Sequence, residues 1–549
     1  FEQEDGGAQV VAPGEVGVGE GELALAAFGF AHPGDAGFEF RAEEAAEGAL
    51  GPVDIVVNNA ITSSDATGVA QVTLNATRNM FIGDAAQTAA SGITTTSAPV
   101  SCTTGGSFNM FSGNVANASS AITSGGAATI TASNNMSMRA GNFSGTSALI
   151  TSTGGNVTVN VLSGDLNLRG SLGSSAAAVI SSTASSATAA VSVSNGNLYA
   201  IGGAGNLTGP TITAPTTSIN VPLGNFVLQA GSGIIAGCNL ASQQNSLAVN
   251  VGQNFSVSGG PIGGFINIGA SNITITAGGN ISLTAGSGPS GGNITNYVII
   301  GFPPNSGGDT INVTAGGSIA MTAQNNGYVL IGTGFPQSNI AQTNAGNITV
   351  TAGGGITLQG QVAGQNSDQF GFAKIGHVTG TVNGSTLSGN ISVTAGDQMT
   401  LQGGSFNASR AASGVMTAAS GASIGHGGNF SSATYSATGA TTVTARAISI
   451  LAGQGANGGS ALIFASGNGA LSATVTGGDL YLLSGGSANA NAILSSANGS
   501  FTANVTNGNI ALGSGLGSAT TALTSVNGNM IASCVGSITL IGGISDSSP

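Results

Sequence analysis

The chain has 549 residues and a net charge of −13, yet only 5% of its residues are charged, and it holds 94 Gly and no Trp. Seven Lys plus Arg cannot neutralise a row of phosphates, which excludes nucleic-acid binding. Hydrophobic residues make up 41% and recur at alternate positions, which argues for half-buried strands and against disorder. No stretch of about 18 apolar residues runs uninterrupted, so no transmembrane span is expected.

In chain order, residues 1–57 come first and read unlike the rest. They are rich in Gly, Ala and Glu ("GEVGVGEGELALAAFGF") and hold twelve of the twenty acids in residues 1–54 alone. This segment is expected to be a separate arm or a donor strand. Within it, "GPVDIVVNNA" (51–60) resembles the short-chain dehydrogenase strand that ends in Asn-Asn-Ala-Gly. Ile61 replaces the glycine, no Thr-Gly-x-x-x-Gly-x-Gly loop precedes it, and no Tyr-x-x-x-Lys contains Lys374, the sole lysine. A dehydrogenase is not expected.

From residue 58 to 549 the chain reads as one repeat array. Repeats of about 30 residues occupy 106–203 and 471–530 ("VTVNVLSGDLNLRG", "SATVTGGDLYLLSG", "TANVTNGNIALGSG"). Between them, at 272–427, a phrase of the type "GNITVTAGGGITLQG" recurs. Its first isoleucine falls at Ile273, Ile311, Ile348 and Ile391, spaced 38, 37 and 43 residues apart. A third apolar run closes each unit: "YVIIG", "YVLIG", "FAKIG" and "GASIG". Each unit therefore carries at least three short strands.

A unit this short cannot bury its own apolar face and must stack on its neighbours. The expected fold is an all-β, parallel β-helix solenoid with Gly and Asn corners. Ile273, Ile275, Ile281, Ile311, Val313, Ile348, Val350, Ile391 and Val393 should point inward. Gly278, Gly279, Gly316, Gly317, Gly353 and Gly354 should form corners because glycine tolerates positive φ. Asn280, Asn347 and Asn390 should sit at corners and pair with their counterparts one coil away. Coils of roughly 19 to 30 residues would give a rod on the order of 75–120 Å long.

The phrasing of 346–360 resembles the filamentous-haemagglutinin and autotransporter-passenger class of bacterial surface proteins. That resemblance implies a right-handed parallel β-helix on a bacterial surface, often an adhesin. A secreted or cell-surface location follows as the expectation.

Chemistry has few places to sit. After residue 60 the acids are Asp65, Asp84, Asp165, Asp309, Asp368, Asp397, Asp479 and Asp546, with no two within ten residues. Paired carboxylates for glycoside hydrolysis are therefore not expected. Asp165 and Asp479 share a slot with Asn197 and Asn509, so they read as turn residues. Arg139 and Arg169 fall at matching positions, as an outward pair or an anion site. His377 and His426 each follow Ile-Gly, as exposed corner residues or metal ligands on one face. Cys102, Cys238 and Cys534 read as small core residues. Asn-x-Ser/Thr at Asn272, Asn280, Asn293, Asn347 and Asn390 reads as corner chemistry, with glycosylation open. No catalytic, cofactor or metal set is expected.

The leading expectation is a non-enzymatic extracellular structural protein that self-assembles head-to-tail with copies of itself into a filament. The alternative is a monomeric rod-like adhesin that binds glycans or cell surfaces through loops such as 301–309, 332–344 and 361–372. Less favoured are a carbohydrate-active enzyme and an ice-binding protein, the latter suggested by Thr274/Thr276 and Thr349/Thr351, with Asn312 and Ser392 breaking the pattern.

Overall fold

Alternating apolar and hydroxyl residues produce short strands with one face in and one face out. Val157–Val161 and Ile391–Ala395, for example, alternate buried and half-buried positions along their whole length. The computed structural model describes residues 38–40, 55–57 and 60–542 apart from short segments, the longest being 405–420, 362–370 and 288–295. The described elements are all strands, and they fall into three parallel sheets. The chain is a parallel β-solenoid. It divides into two units, 1–253 and 254–549.

Every coil runs through the three sheets in turn. In the first unit one coil consists of Val157–Val161 in the first sheet, Leu166–Arg169 in the second and Ala178–Ser182 in the third. Each strand pairs in parallel and in one-to-one register with the same strand one coil later, as Val157 does with Ala189 and Leu166 with Leu198. The strands Phe38–Phe40 and Ile55–Val57 pair in the same way with Val72–Leu74 and Met80–Ile82. The rest of the proposed arm lies outside the described residues.

In the second unit the recurring phrase is the turn from the first sheet to the second. Ile273, Ile311, Ile348 and Ile391 align in one buried row, and Ile275, Val313, Val350 and Val393 in another. Ile281 heads a third row with Ile319, Ile356 and Met399. One repeat is one coil. Hydrogen-bonded neighbours are 28 to 32 residues apart in the first unit and 38, 43 and 50 apart in parts of the second. The coils between Ile273 and Thr441 are thus longer than the 19–30 residues expected, because the extra residues leave at corners without disturbing strand register, whereas those from Thr441 to Met530 are 29 or 30 residues.

The glycines at the turn from the first sheet to the second act differently from the sequence-based expectation. None of Gly278, Gly279, Gly316, Gly317, Gly353 and Gly354 has positive φ. They are needed for closeness instead: a Cβ on Gly316 would overlap the Gly278 carbonyl, and one on Gly353 the Gly316 carbonyl. Positive φ belongs to the opposite corner, where Gly346, Gly389 and Gly439 lie at 130°, 112° and 115°.

Asparagine side chains tie the coils together at the same turn. Asp165 N–H donates to Asn135 Oδ1 at 2.8 Å, Asn197 N–H to Asp165 Oδ1 at 2.8 Å, and Asn225 N–H to Asn197 Oδ1 at 2.9 Å. The amides extend the ladder, Asn225 Nδ2 donating to Asn197 Oδ1 at 3.1 Å. Asn280 receives Ser318 N–H in the second unit, and Asn347 and Asn390 receive Asn390 and Ala440 N–H at the corner from the third sheet to the first. An Asn197→Ala substitution should cost about 1–2 kcal/mol, since it removes the acceptor of the Asn225 backbone N–H. Faster hydrogen exchange at Asn225 checks this.

Candidate functional site

Three features of the second unit depart from a plain ladder. The first is the last described coil. Met530–Cys534 and Ile538–Ile541 stand in register on Phe501–Val505 and Ile510–Gly513, continuing their inward rows. Yet Met530 is 51% exposed, Ile538 55% and Leu540 73%, against 0% for Phe501 and Ile510. Among the described residues, the side chains in the rows that form core one coil earlier are here exposed.

The second feature is a buried basic cluster. Lys374 lies on the third sheet in the outward slot shared with Leu330, Ser423 and Leu462, and is 2% exposed. Its Nζ donates to Ser423 Oγ at 3.3 Å and sits 4.8 Å from the Phe464 ring centroid. Burial lowers its pKa to about 7. Two residues on, the chain turns toward the first sheet, and His377 and His426 stack at 4.8 Å with rings 13° apart. Both are buried. They were expected to be exposed corner residues or metal ligands, and the geometry supports neither. His377 Nδ1 accepts Thr333 N–H at 3.1 Å, and His426 Nδ1 accepts His377 N–H at 3.3 Å. The Nε2–H groups donate to the Gly346 carbonyl at 3.0 Å and the Gly389 carbonyl at 2.8 Å. A backbone N–H can only donate and a carbonyl can only accept, so both rings are Nε2–H tautomers. No ring nitrogen keeps a lone pair for a metal. Burial, then in His426 the neighbouring His377, lowers their pKa values to about 4 and about 3.

The third feature is an aromatic ladder on the outer side of the third sheet. Phe265, Tyr297, Tyr328 and Phe372 stack on successive coils with centroids 5.4, 5.5 and 4.8 Å apart. Tyr328 and Phe372 are buried together with Ile299, Leu330 and Val378. Their ring faces are spent on one another, so the stack is a core and not a sugar platform. Burial lifts the Tyr297 hydroxyl to about 12 and that of Tyr328 above its usual range.

No family model, no curated protein and no solved structure matches the chain. The reading of the site therefore rests on its own geometry.

The remaining candidate residues fall as follows. Asp165 and Asp479 each place one oxygen in the corner ladder, receiving both N–H and amide of Asn197 and Asn509. Arg139 and Arg169 pair in direct register at the outer end of the second sheet, both exposed. Cys102 and Cys238 are fully buried, and desolvation lifts both thiols to about 12, so neither reacts while folded. Cys534 continues an inward row in the last described coil and is partly exposed. The loop insertions occupy two corners: 301–309 and 332–344 join the third sheet to the first, whereas 361–372 joins the second to the third. Both corners flank the third sheet, although much of each loop, and Asn293, lies outside the described residues.

Sequence reasoning missed the buried cluster and the aromatic ladder. The signal was present: "YVIIG", "YVLIG" and "FAKIG" are apolar at both parities, the mark of a strand covered on both faces.

Proposed function

We propose that the chain is a non-enzymatic structural protein of the bacterial cell surface, secreted, and assembling head-to-tail through coil stacking. The observation that supports this is the one-to-one parallel register in which each coil stands on the one before it, down to Met530–Cys534 and Ile538–Ile541. A coil built this way accepts a further parallel coil, and the proposed donor is a coil of a second copy. A contact of this kind is heterologous and does not close, so it propagates as a fibre. The low charge lets like subunits approach. The repeat phrase at 346–360 and the parallel coils support kinship with the filamentous-haemagglutinin and autotransporter-passenger class.

Cys534 supplies the test. A thiol reagent is applied to the native protein across a dilution series, with electron microscopy of the same samples. Fibres in which Cys534 is protected, and dilute subunits in which it alone of the three cysteines reacts, are the expected outcome. Leu540→Asp should abolish both the fibres and the protection. Single particles with a reactive Cys534 at every concentration would sink the filament reading. The adhesin reading, favoured by the two loop-bearing corners beside the third sheet, would then be tested by glycan and cell binding.

A further inference from the structure

The outer face of the first sheet in the second unit carries a row composed of one residue type. Thr276, Thr314, Thr351, Thr394, Thr444 and Thr474 occupy the same outward position on six consecutive coils, paired one-to-one without a bulge. A second row lies two residues earlier on each strand: Thr274, Asn312, Thr349, Ser392, Thr442 and Ser472. The substitutions that break the Thr-x-Thr pattern all fall in this second row. The first is uninterrupted.

Coil stacking sets the spacing along each row at about 4.8 Å, and two residues of strand set the distance between rows at about 6.6 Å. The six threonines therefore span about 24 Å of a rectangular net. Every position in both rows is uncharged and none is aromatic. Each threonine presents a hydroxyl and a methyl, and its branched Cβ restricts it to few rotamers. In the first unit, by contrast, Thr123 and Thr151 on the third sheet hydrogen-bond to each other. Thr274, Thr276 and Thr314 are exposed and the other threonines of the two rows are at least partly so.

We propose that this face binds ice. Its two repeats lie close to those of oxygen atoms on a prism face of hexagonal ice. Threonine hydroxyls held at that spacing order the water in the trough between the rows, and the methyl groups keep that layer from reverting to bulk arrangement. Little side-chain entropy is lost on binding, because the net is built before the ligand arrives. A crystalline glycan is the poorer ligand, since sugar rings select aromatic faces and these rows have none. The second sheet is the built-in comparison: its outward row reads Ser282, Ala320, Thr357, Thr400, Ser449 and Tyr481, with no constant chemistry.

Ice is grown slowly from a dilute solution of the full chain, and the protein in ice and in liquid is measured. The work is done below the concentration at which Cys534 becomes protected, so assembly does not contribute and the outcome is independent of the filament reading. The wild-type chain should be enriched in the ice fraction over an inert protein of similar size. Thr351→Tyr, in the middle of the uninterrupted row, should lower that enrichment to the inert level, and Thr394→Lys on the next coil should do the same. Thr357→Tyr on the second sheet should leave it unchanged. Circular dichroism confirms that each variant keeps its strands. Wild-type protein that partitions like the inert control overturns the proposal, and so does a Thr357→Tyr variant that loses as much as Thr351→Tyr.

Discussion

Lowering the pH from 8 to 4 should loosen the coils around 373–377 and 422–426 well before the rest of the second unit. The cause is three buried bases held uncharged. His377 and His426 titrate near 4 and near 3 in the fold, against an unperturbed histidine near 6.5. A base whose folded pKa is depressed binds its proton more readily when unfolded. Stability is therefore present above about pH 6.5 and lost as the pH falls toward the folded values. Each histidine contributes on the order of 3 kcal/mol across that window. Lys374 acts in the same direction higher up: with a folded pKa of about 7 against about 10.5 unfolded, stability rises as the pH climbs from 7 to 10.5.

The charged groups around the cluster do not rescue it. Lys374 faces Ser423 and Phe464, and the histidines face backbone and each other, with the Lys374 charge lowering both their pKa values further. Hydrogen exchange read by mass spectrometry at pH 8, 6 and 4 checks the order of loosening. Lys374→Met keeps the apolar stem and removes the buried amine. It should raise stability at pH 7 by a few kcal/mol and flatten the profile above pH 7, leaving most of the acid limb in place because burial, and only lastly the Lys374 charge, depresses the histidines. Uniform exchange along the unit at every pH would contradict this account.

The second large effect is expected at a single methyl group. Gly389 has φ of 112°, and a Cβ there would overlap the Gly346 carbonyl oxygen of the preceding coil. Gly439 repeats the arrangement against Gly389. Alanine at 389 must therefore bear left-handed strain and push two coils apart, at a combined cost of about 4 kcal/mol. Gly384 separates the two contributions. Its φ is 90°, but among the described residues nothing stands within 4 Å of the site a Cβ would take. Gly384→Ala should cost only the strain, about 1–2 kcal/mol. Chemical denaturation of both variants gives the comparison. Equal losses would mean that the close approach of coils contributes nothing.

The Gly389 carbonyl also accepts the Nε2–H of His426, so strain at this corner and the basic cluster belong to one local structure. The corner joins four stacked elements: the glycine row, the asparagine row at 347 and 390, the histidine pair, and the strands Thr343–Ala352 and Ile391–Ala395. A defect in any one should speed exchange in the others and spare the opposite turn at Gly316 and Gly353.

The sequence by itself determined the strands and the inward rows, whereas the equation of one repeat with one coil, 38 to 50 residues in places against the 19–30 expected, came from the structure. Period-two alternation in "NITITA" or "VTVNV" chooses which side chains turn inward with no help from the rest of the chain. A slot that accepts both Asp165 and Asn197 already declares itself a hydrogen-bonding turn. Tertiary structure alone decided what depends on alignment between coils. Insertions of unequal length separate stacked neighbours by 38, 43 or 50 residues, so no fixed period brings His377 onto His426 or Tyr328 onto Phe372. The corner glycines looked like a matter of φ, but close approach is a property of two coils and invisible in one. That Lys374 is buried was decided by the coils stacked around it on the third sheet. The uninterrupted threonine row emerged the same way: each strand carries a single threonine of it, and only parallel register makes six of them a surface.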